Sequence, residues 1–271
     1  MNKPAICKAC GKLMGTSDVC PYCGTKRQSL SANVIYLKRS LSTESISFYK
    51  LILKITIAMY VIEILVGAFL FKSGLFNVIF SGPPGQALLM LGASSPYVYK
   101  LGHWWGPFTA TFLHGGLMHI GFNMFALSQI GPLMEHATSR SFFLFTYIIT
   151  GACGFLLSAY GGSLSVGGSA GLYGLIGCGI VISFILGAGK EDPLFRGLLS
   201  WLIYGFIFAL LIPGIDHLAH IGGLIGGLAT GYLWTKLRTE PWFRGFINKF
   251  SIFLLVTTGV AFIHCLITFL G

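Results

Sequence analysis

Ser169, His220 and the pair His119/Asn123 stand in three short segments, GGSAGLYG (167–174), AHIGGLIGG (219–227) and HGGLMHIGFN (114–123). Each segment lies just inside the start of a long apolar run, and these runs are the second, fourth and sixth of the chain. Even-numbered spans of a membrane protein run in the same direction, so their first turns share one face of the bilayer. A hydroxyl, an imidazole and further hydrogen-bond donors gathered at one depth are the parts needed to cut a peptide bond: nucleophile, general base and oxyanion donors.

Taken alone, each residue has an ordinary structural reading. Serine in a membrane helix usually packs and bonds to its own backbone. The match of Gly-Gly-Ser-Ala-Gly to G-x-S-x-G is accidental, because that elbow needs a strand before it and a sheet beneath. His220 shifts the balance, since an imidazole inside a span is costly and is a functional candidate by default. It opens a helix with Gly223, Gly227 and Gly231 at four-residue spacing, a stripe suited to close packing against the glycines around Ser169. Tyr173, one turn beyond Ser169, is placed either to orient the histidine ring or simply to pack. His119 and Asn123 lie one turn apart on one helix face and read as oxyanion donors or as an interhelical polar clamp.

Other polar residues are expected to serve structure. His114 should support the fold, His217 should face water in a loop, and Asp216 should cap the sixth span or act electrostatically on His220. Glu135 lies at the far end of its span, where it suits tying helix ends together. The apolar runs hold no H-E-x-x-H, which argues against a metalloprotease.

The elements that must position these groups are membrane helices. Of the 271 residues, 54% are hydrophobic and 10% charged, against roughly 25% charged in soluble domains; mean hydropathy is +0.78. Runs of about 20 apolar residues match a hydrocarbon core of roughly 30 Å. Spans are expected near 48–72, 114–136, 141–160, 168–188, 194–213, 217–236 and 248–270. The polar, cysteine-bearing start is not expected to be a cleavable signal peptide. With residue 1 in the cytoplasm, sixteen of the eighteen basic residues fall on the inner side and only Lys72 and Lys100 outside. That bias places Ser169, His220 and His119 toward the outer face. The +10 charge therefore reflects the membrane, and no nucleic acid is expected.

Residues 1–24 read as a separate module. Cys7 and Cys10, then Cys20 and Cys23, form two CxxCG knuckles, and four thiolates suit a closed tetrahedral structural Zn²⁺ site. Two disulfides are the competing arrangement, disfavoured in the cytosol. Residues 25–46 read as a basic, Ser-rich linker near the inner leaflet. The stretch 73–113, with GPPG (82–85) and Trp104-Trp105, reads as an irregular outer loop, either functional or a packing cap. Residues 237–247 read as a cytosolic loop. Cys153, Cys178 and Cys265 read as small core residues.

Over about residues 48–236 the three motifs, in sequence, order and membrane side, resemble the rhomboid intramembrane serine proteases. The resemblance implies an all-α polytopic membrane protein with a six-helix protease core. One additional transmembrane helix (248–270) follows, and a small cytosolic zinc ribbon precedes. It implies a dyad of Ser169 as nucleophile and His220 as base, an oxyanion hole at His119, Asn123 and the Ser169 N–H, and Tyr173 packed on the histidine. No cofactor of catalysis is implied. The substrates would be transmembrane proteins cut near the outer face of, by expectation, a bacterial plasma membrane; the ribbon could engage a protein partner. Two departures stand out. Gly106 occupies a position where the family often has Arg, which puts the loop's anchoring in question. Gly168-Ser169-Ala170 replaces the commoner Ala-Ser-Gly. A catalytically silent relative that binds transmembrane helices is the alternative, against which the intact Ser169, His220, His119 and Asn123 count. A transporter would spread polar groups through the depth of the bundle instead.

Overall fold

The long apolar runs become long helices wherever a polar cap can start them. In a computed structural model, which describes residues 47–212 and 214–270 together with Val19, the architecture is all-α. The cysteine knuckles at Cys7, Cys10, Cys20 and Cys23 and the linker over 25–46 lie outside the described residues. Helix α1 (Phe48–Leu65) continues through a π turn (Val66–Leu70). Four short helices follow: α2 (Leu75–Ser81), α3 (Gly85–Met90), α4 (Pro96–Lys100) and α5 (Gly106–Thr109). The remaining long helices are α6 (Leu117–Ala137), α7 (Arg140–Tyr160), α8 (Ser169–Leu186), α9 (Pro193–Leu211), α10 (His217–Leu237) and α11 (Pro241–Leu270). Ser139, Asp192 and Asp216 cap α7, α9 and α10 by accepting backbone N–H groups of the first turn, which satisfies donors that a helix start otherwise leaves bare.

Five of these helices, α1 with its π turn, α7, α8, α9 and α11, are long and apolar enough to cross a membrane, as expected of a multi-pass integral membrane protein. Helices α6 and α10 are 21 residues each, about the length that spans a hydrocarbon core at roughly 1.5 Å per residue. Their apolar character is diluted by His119, Asn123, Gln129 and Glu135 in α6 and by glycine and histidine in α10. Two of the three helices that carry the polar cluster, α6 and α10, are thus the ones that look least like spans, whereas α8 with Ser169 is apolar in character.

Glycine sets how closely the core helices approach. A Cβ on Gly223 would lie 2.1 Å from the Ala170 carbonyl oxygen, one on Gly227 2.1 Å from that of Gly174, and one on Gly231 2.6 Å from that of Cys178. Both helices advance four residues per contact in the same sense, so α8 and α10 run parallel, backbone against backbone. Around them pack large buried side chains such as Phe142, Phe143, Tyr147 and Phe155. At the other end of the molecule Glu135 accepts the Ser47 hydroxyl at 2.9 Å and the Tyr49 N–H at 2.8 Å, and so ties the end of α6 to the start of α1.

Several expectations change, and Cys153 is exposed on α7 rather than part of the core. The stretch 73–113 is not irregular: its prolines and serines start short helices, as where Ser95 caps α4 with Pro96 in the first turn. The last helix begins at Pro241, so the connection after α10 is only three residues rather than 237–247. Proline in a first helical turn loses no intrahelical bond, which lets the polar stretch around Arg244 be helical.

The close approach predicts a clear asymmetry between two glycines. Gly227→Val should lower the unfolding temperature of the purified protein, by overpacking of about 1–3 kcal/mol or more. Gly245→Val, where nothing lies within 4 Å of a new Cβ, should be nearly neutral. Equal behaviour of the two in a detergent melting experiment would mean that α8 and α10 are not held at this separation.

Candidate active site

Ser169 is the first residue of α8, and Gly168 precedes it as the cap. That position leaves its backbone N–H without an intrahelical acceptor. The chain reaches it through Gly167 at φ +128, a conformation that side-chain-bearing residues avoid. Three contacts fix this approach. Ser94 and Ser165 exchange backbone hydrogen bonds at 3.1 and 2.8 Å, and the Gly167 N–H donates to the Ala110 carbonyl at 2.9 Å. The Gly168 N–H reaches Nε2 of His114 at 3.4 Å.

His220 lies in the first turn of α10. Asp216 accepts the Ala219 N–H at 3.0 Å and also takes a hydrogen bond from the Ser158 hydroxyl, which pins the start of α10 to the end of α7. With the glycine stripe holding α10 on α8, Nε2 of His220 sits 2.8 Å from Oγ of Ser169. The Tyr173 ring stacks on the imidazole, with centroids 4.3 Å apart and planes 13° from parallel. Among the described residues, no carboxylate hydrogen-bonds to the His220 ring. The aromatic face takes the orienting position that a third polar group would otherwise fill. An imidazole accepting a serine proton at this distance is arranged to activate a nucleophile.

His119 faces the same space. Its Nδ1 accepts the Gly115 N–H at 3.3 Å, so in the neutral ring the proton resides on Nε2. A Cβ placed on Gly167 would lie 2.7 Å from that Nε2 and 3.7 Å from Oγ of Ser169. Only glycine fits there, and the His119 donor borders the space beside the serine hydroxyl. Asn123 is buried one turn along. Its Nδ2 donates to the His119 carbonyl at 2.9 Å, and the amide group has a second N–H to offer. The three sequence segments are thus brought together, with Ser169, His220, His119, Asn123 and Tyr173 in one cluster. Of the other histidines, His114 is buried behind Ser169, and His217 is the exposed first residue of α10 rather than part of a loop.

One participant escaped the sequence reading. Glu63, fully buried on α1, accepts the His114 N–H with both carboxylate oxygens, at 3.1 and 3.0 Å. A carboxylate inside the apolar run YVIEILV was the signal, since ionisable groups within spans are rare and purposeful. Glu63 holds the backbone of His114, whose ring in turn holds Gly168.

Helix α9 flanks the cluster lightly. Of its residues only Leu198 and Ala209 are buried. It meets α6 through aromatic pairs, Phe122 with Phe208 at 4.4 Å and Phe125 with Trp201 at 5.8 Å. Beside His220 a cleft of about 340 Å³ opens between α9 and α10, with Leu202 and Phe206 on one wall and Leu224 on the other.

Comparison with known proteins places these features in a family. The rhomboid domain matches residues 101–237, half of the chain. Rhomboid-like protease 1 of Toxoplasma gondii is 29% identical over 188 residues, 66% of this chain and 64% of that protein. The Arabidopsis thaliana RHOMBOID-like protein 6, mitochondrial, is 33% identical over 172 residues, 60% of this chain and 54% of that one. Rhomboid protease GluP of Bacillus subtilis is 29% identical over 146 residues, covering 52% of this chain and 28% of its own length. The chain therefore spans between 28% and 64% of these relatives.

If Glu63 supports the approach to Ser169, Glu63→Ala leaves the His114 N–H bare and should cost about 1–3 kcal/mol. Glu63→Gln keeps an acceptor and should cost less. Thermal unfolding of both variants checks the order, and a Glu63→Ala protein as stable as wild type would remove Glu63 from this role.

Proposed function

The chain belongs to the rhomboid family, and from that premise we propose that it is an intramembrane serine endopeptidase that cleaves transmembrane proteins near the outer membrane face. The observation that carries the proposal is the 2.8 Å separation of His220 Nε2 and Ser169 Oγ in the parallel packing of α8 and α10. In this reading the core comprises six membrane helices, α1 and α6 to α10, and α11 is a seventh. Residue 1 is cytoplasmic, in keeping with the distribution of basic residues, and the membrane is a bacterial plasma membrane.

The chemistry follows from the cluster. His220 takes the Ser169 proton as Oγ attacks the scissile carbonyl carbon. The resulting oxyanion receives hydrogen bonds from His119 Nε2–H, the Asn123 amide and the Ser169 N–H at the start of α8. His220 then gives its proton to the leaving amine, and the acyl-enzyme forms. Water arriving from the outer face repeats the sequence and frees Ser169. Tyr173 keeps the ring in plane through both steps. A substrate helix must unwind to expose a carbonyl here, because helical hydrogen bonding and packing shield it. Access is easiest beside α9, the long helix with the fewest buried residues near the dyad.

The proposal includes a structural zinc ribbon over residues 1–24, with Cys7, Cys10, Cys20 and Cys23 as ligands. The donor set supports it: four thiolates in two CxxCG turns match a tetrahedral ion, and a module with so little apolar content folds poorly without metal. A protein partner is its natural use.

Two measurements test these assignments. A serine-directed fluorophosphonate should label Ser169 in the purified, detergent-solubilised chain, and the label should vanish in Ser169→Ala and His220→Ala. His119→Ala or Asn123→Ala should slow cleavage of a transmembrane substrate by about 10²–10³. Undiminished labelling without His220 would sink the dyad. Metal analysis of the full chain should find one zinc per molecule, lost in Cys20→Ser/Cys23→Ser with the dyad still reactive; a zinc-free wild type would overturn the ribbon.

A further inference from the structure

A cleft with polar walls lies at the end of the bundle away from Ser169. It has a volume of about 620 Å³ and is formed where α6 gives way to α7 and α10 to α11. Arg238 lies 18 residues along α10 from His220, about 27 Å at the usual helical rise. The walls carry Arg238 and Arg244 together with Ser139, Thr239 and Asn248, and the floor is the buried Trp234 and Ile247. The volume is in the range of small-ligand sites.

Its two arginines are held in no ion pair among the described residues, although Glu240 stands in the connection between them. Among the described residues the ion pair within 4 Å is that of Arg196 with Glu191, in another part of the molecule, so neither Arg238 nor Arg244 has a carboxylate partner. Arg238 spends one N–H on the Thr235 carbonyl at 2.8 Å, which fixes its stem at the end of α10 and leaves the rest of its fork. Ser139 accepts the Phe142 N–H at 3.1 Å, so its own O–H remains as a donor. Two guanidinium groups with neighbouring hydroxyl and amide donors are a set matched to phosphate oxygens.

Position decides which phosphate. Trp242, 61% exposed in the first turn of α11, marks headgroup level, where tryptophan prefers to sit. Below it the ridge that continues from Asn248 along α11 carries the exposed apolar side chains Ile252 and Val256, along which an acyl chain can lie. We propose that this cleft binds the phosphate headgroup of an anionic phospholipid in the leaflet opposite the catalytic cluster. A water-soluble phosphate shares the headgroup chemistry but would make no use of the apolar face beside it. Headgroup binding between Arg238 on α10 and Arg244 on α11 joins the additional helix to the core. Lys236 and Lys249 stand on the same two helices outside the cleft and contribute charge without a built site.

The test compares three forms of the full chain in neutral detergent: wild type, Arg238→Gln/Arg244→Gln, and Lys236→Gln/Lys249→Gln. Each is melted with phosphatidylglycerol, phosphatidylcholine or soluble sn-glycerol 3-phosphate at equal phosphate. With phosphatidylglycerol about a hundredfold above its Kd, wild type and the lysine variant should gain roughly 5–10 °C. The arginine variant should gain little, and neither phosphatidylcholine nor glycerol phosphate should act. An equal gain in the arginine variant, or an equal loss in both charge variants, would overturn the site in favour of general surface electrostatics. Equal stabilisation by glycerol phosphate would overturn the lipid assignment. Arg244→Gln alone, at an exposed side chain, gives the same comparison should the double variant fail to fold.

Discussion

Everything around Ser169 and His220 depends on two backbones being allowed to touch. Lipid gives packed membrane helices no hydrophobic reward for association, so van der Waals fit and polar pairing must hold them. In this chain the fit comes from Gly223, Gly227 and Gly231 lying on the carbonyls of Ala170, Gly174 and Cys178. Because both helices repeat the contact every four residues, the register is locked: a slip of one residue would set the side chain of Leu224 or Leu228 on a carbonyl. That register, rather than any property of the serine, puts Oγ within 2.8 Å of the imidazole. The cost of burying a polar ring in the membrane is offset by the hydrogen bond that the same packing creates.

A second set of contacts holds Ser169 from the opposite side, and it explains which parts of the site could be read from sequence. Motifs whose chemistry is local were legible: the four-residue spacing of glycines, the one-turn spacing of His119 and Asn123, Asp216 before α10, and Glu135 at a helix end. Each follows from helical geometry and residue type alone. Glu63 was not, because its meaning depends on meeting a backbone N–H 51 residues away, and no periodicity records such a meeting. The short helices of 73–113 were missed for a different reason. Proline and glycine mark helix starts as well as irregular chain, and only the cap at Ser95 separates the two. The family resemblance fixed the order of the core helices but said nothing of how α11 would dock.

That docking answers the question raised by Gly106. Cβ at this position would lie 3.2 Å from both the Tyr99 ring and the Ser94 Cα, so any side chain here would have to push its neighbours aside by a few tenths of an ångström. The loop is held by other means. Trp105 is buried with its ring 5.0 Å from that of His264 on α11, Trp104 lies 6.0 Å from the same histidine, and His103 stacks on Trp105 at 4.4 Å. The Cys265 thiol adds a hydrogen bond to the Met90 carbonyl at 3.2 Å. An aromatic clasp from the additional helix thus replaces a charged anchor. The same loop carries Ala110 and Ser94, which fix Gly167 and Ser165, so α11 reaches Ser169 at second hand.

The proposed activity, cutting a helix inside a membrane, would set two demands that a uniformly packed bundle cannot meet together. The reacting groups must be held to a few tenths of an ångström, yet a substrate about as wide as a helix has to reach them. The chain separates the demands by element. In α8 67% of the membrane window is buried; in α9, which lies against it, 11%. The first is clamped on several sides by glycine contacts, whereas the second rests on α8 with its aromatic rim against Phe122 and Phe125 of α6. Displacing α9 forfeits few buried contacts, so local opening is drawn from this end of the stability range. The hydrogen bonds that define Ser169, His220 and His119 involve no residue of α9. The site can therefore open without being taken apart, and the rigidity of one helix pair is what makes the looseness of its neighbour usable.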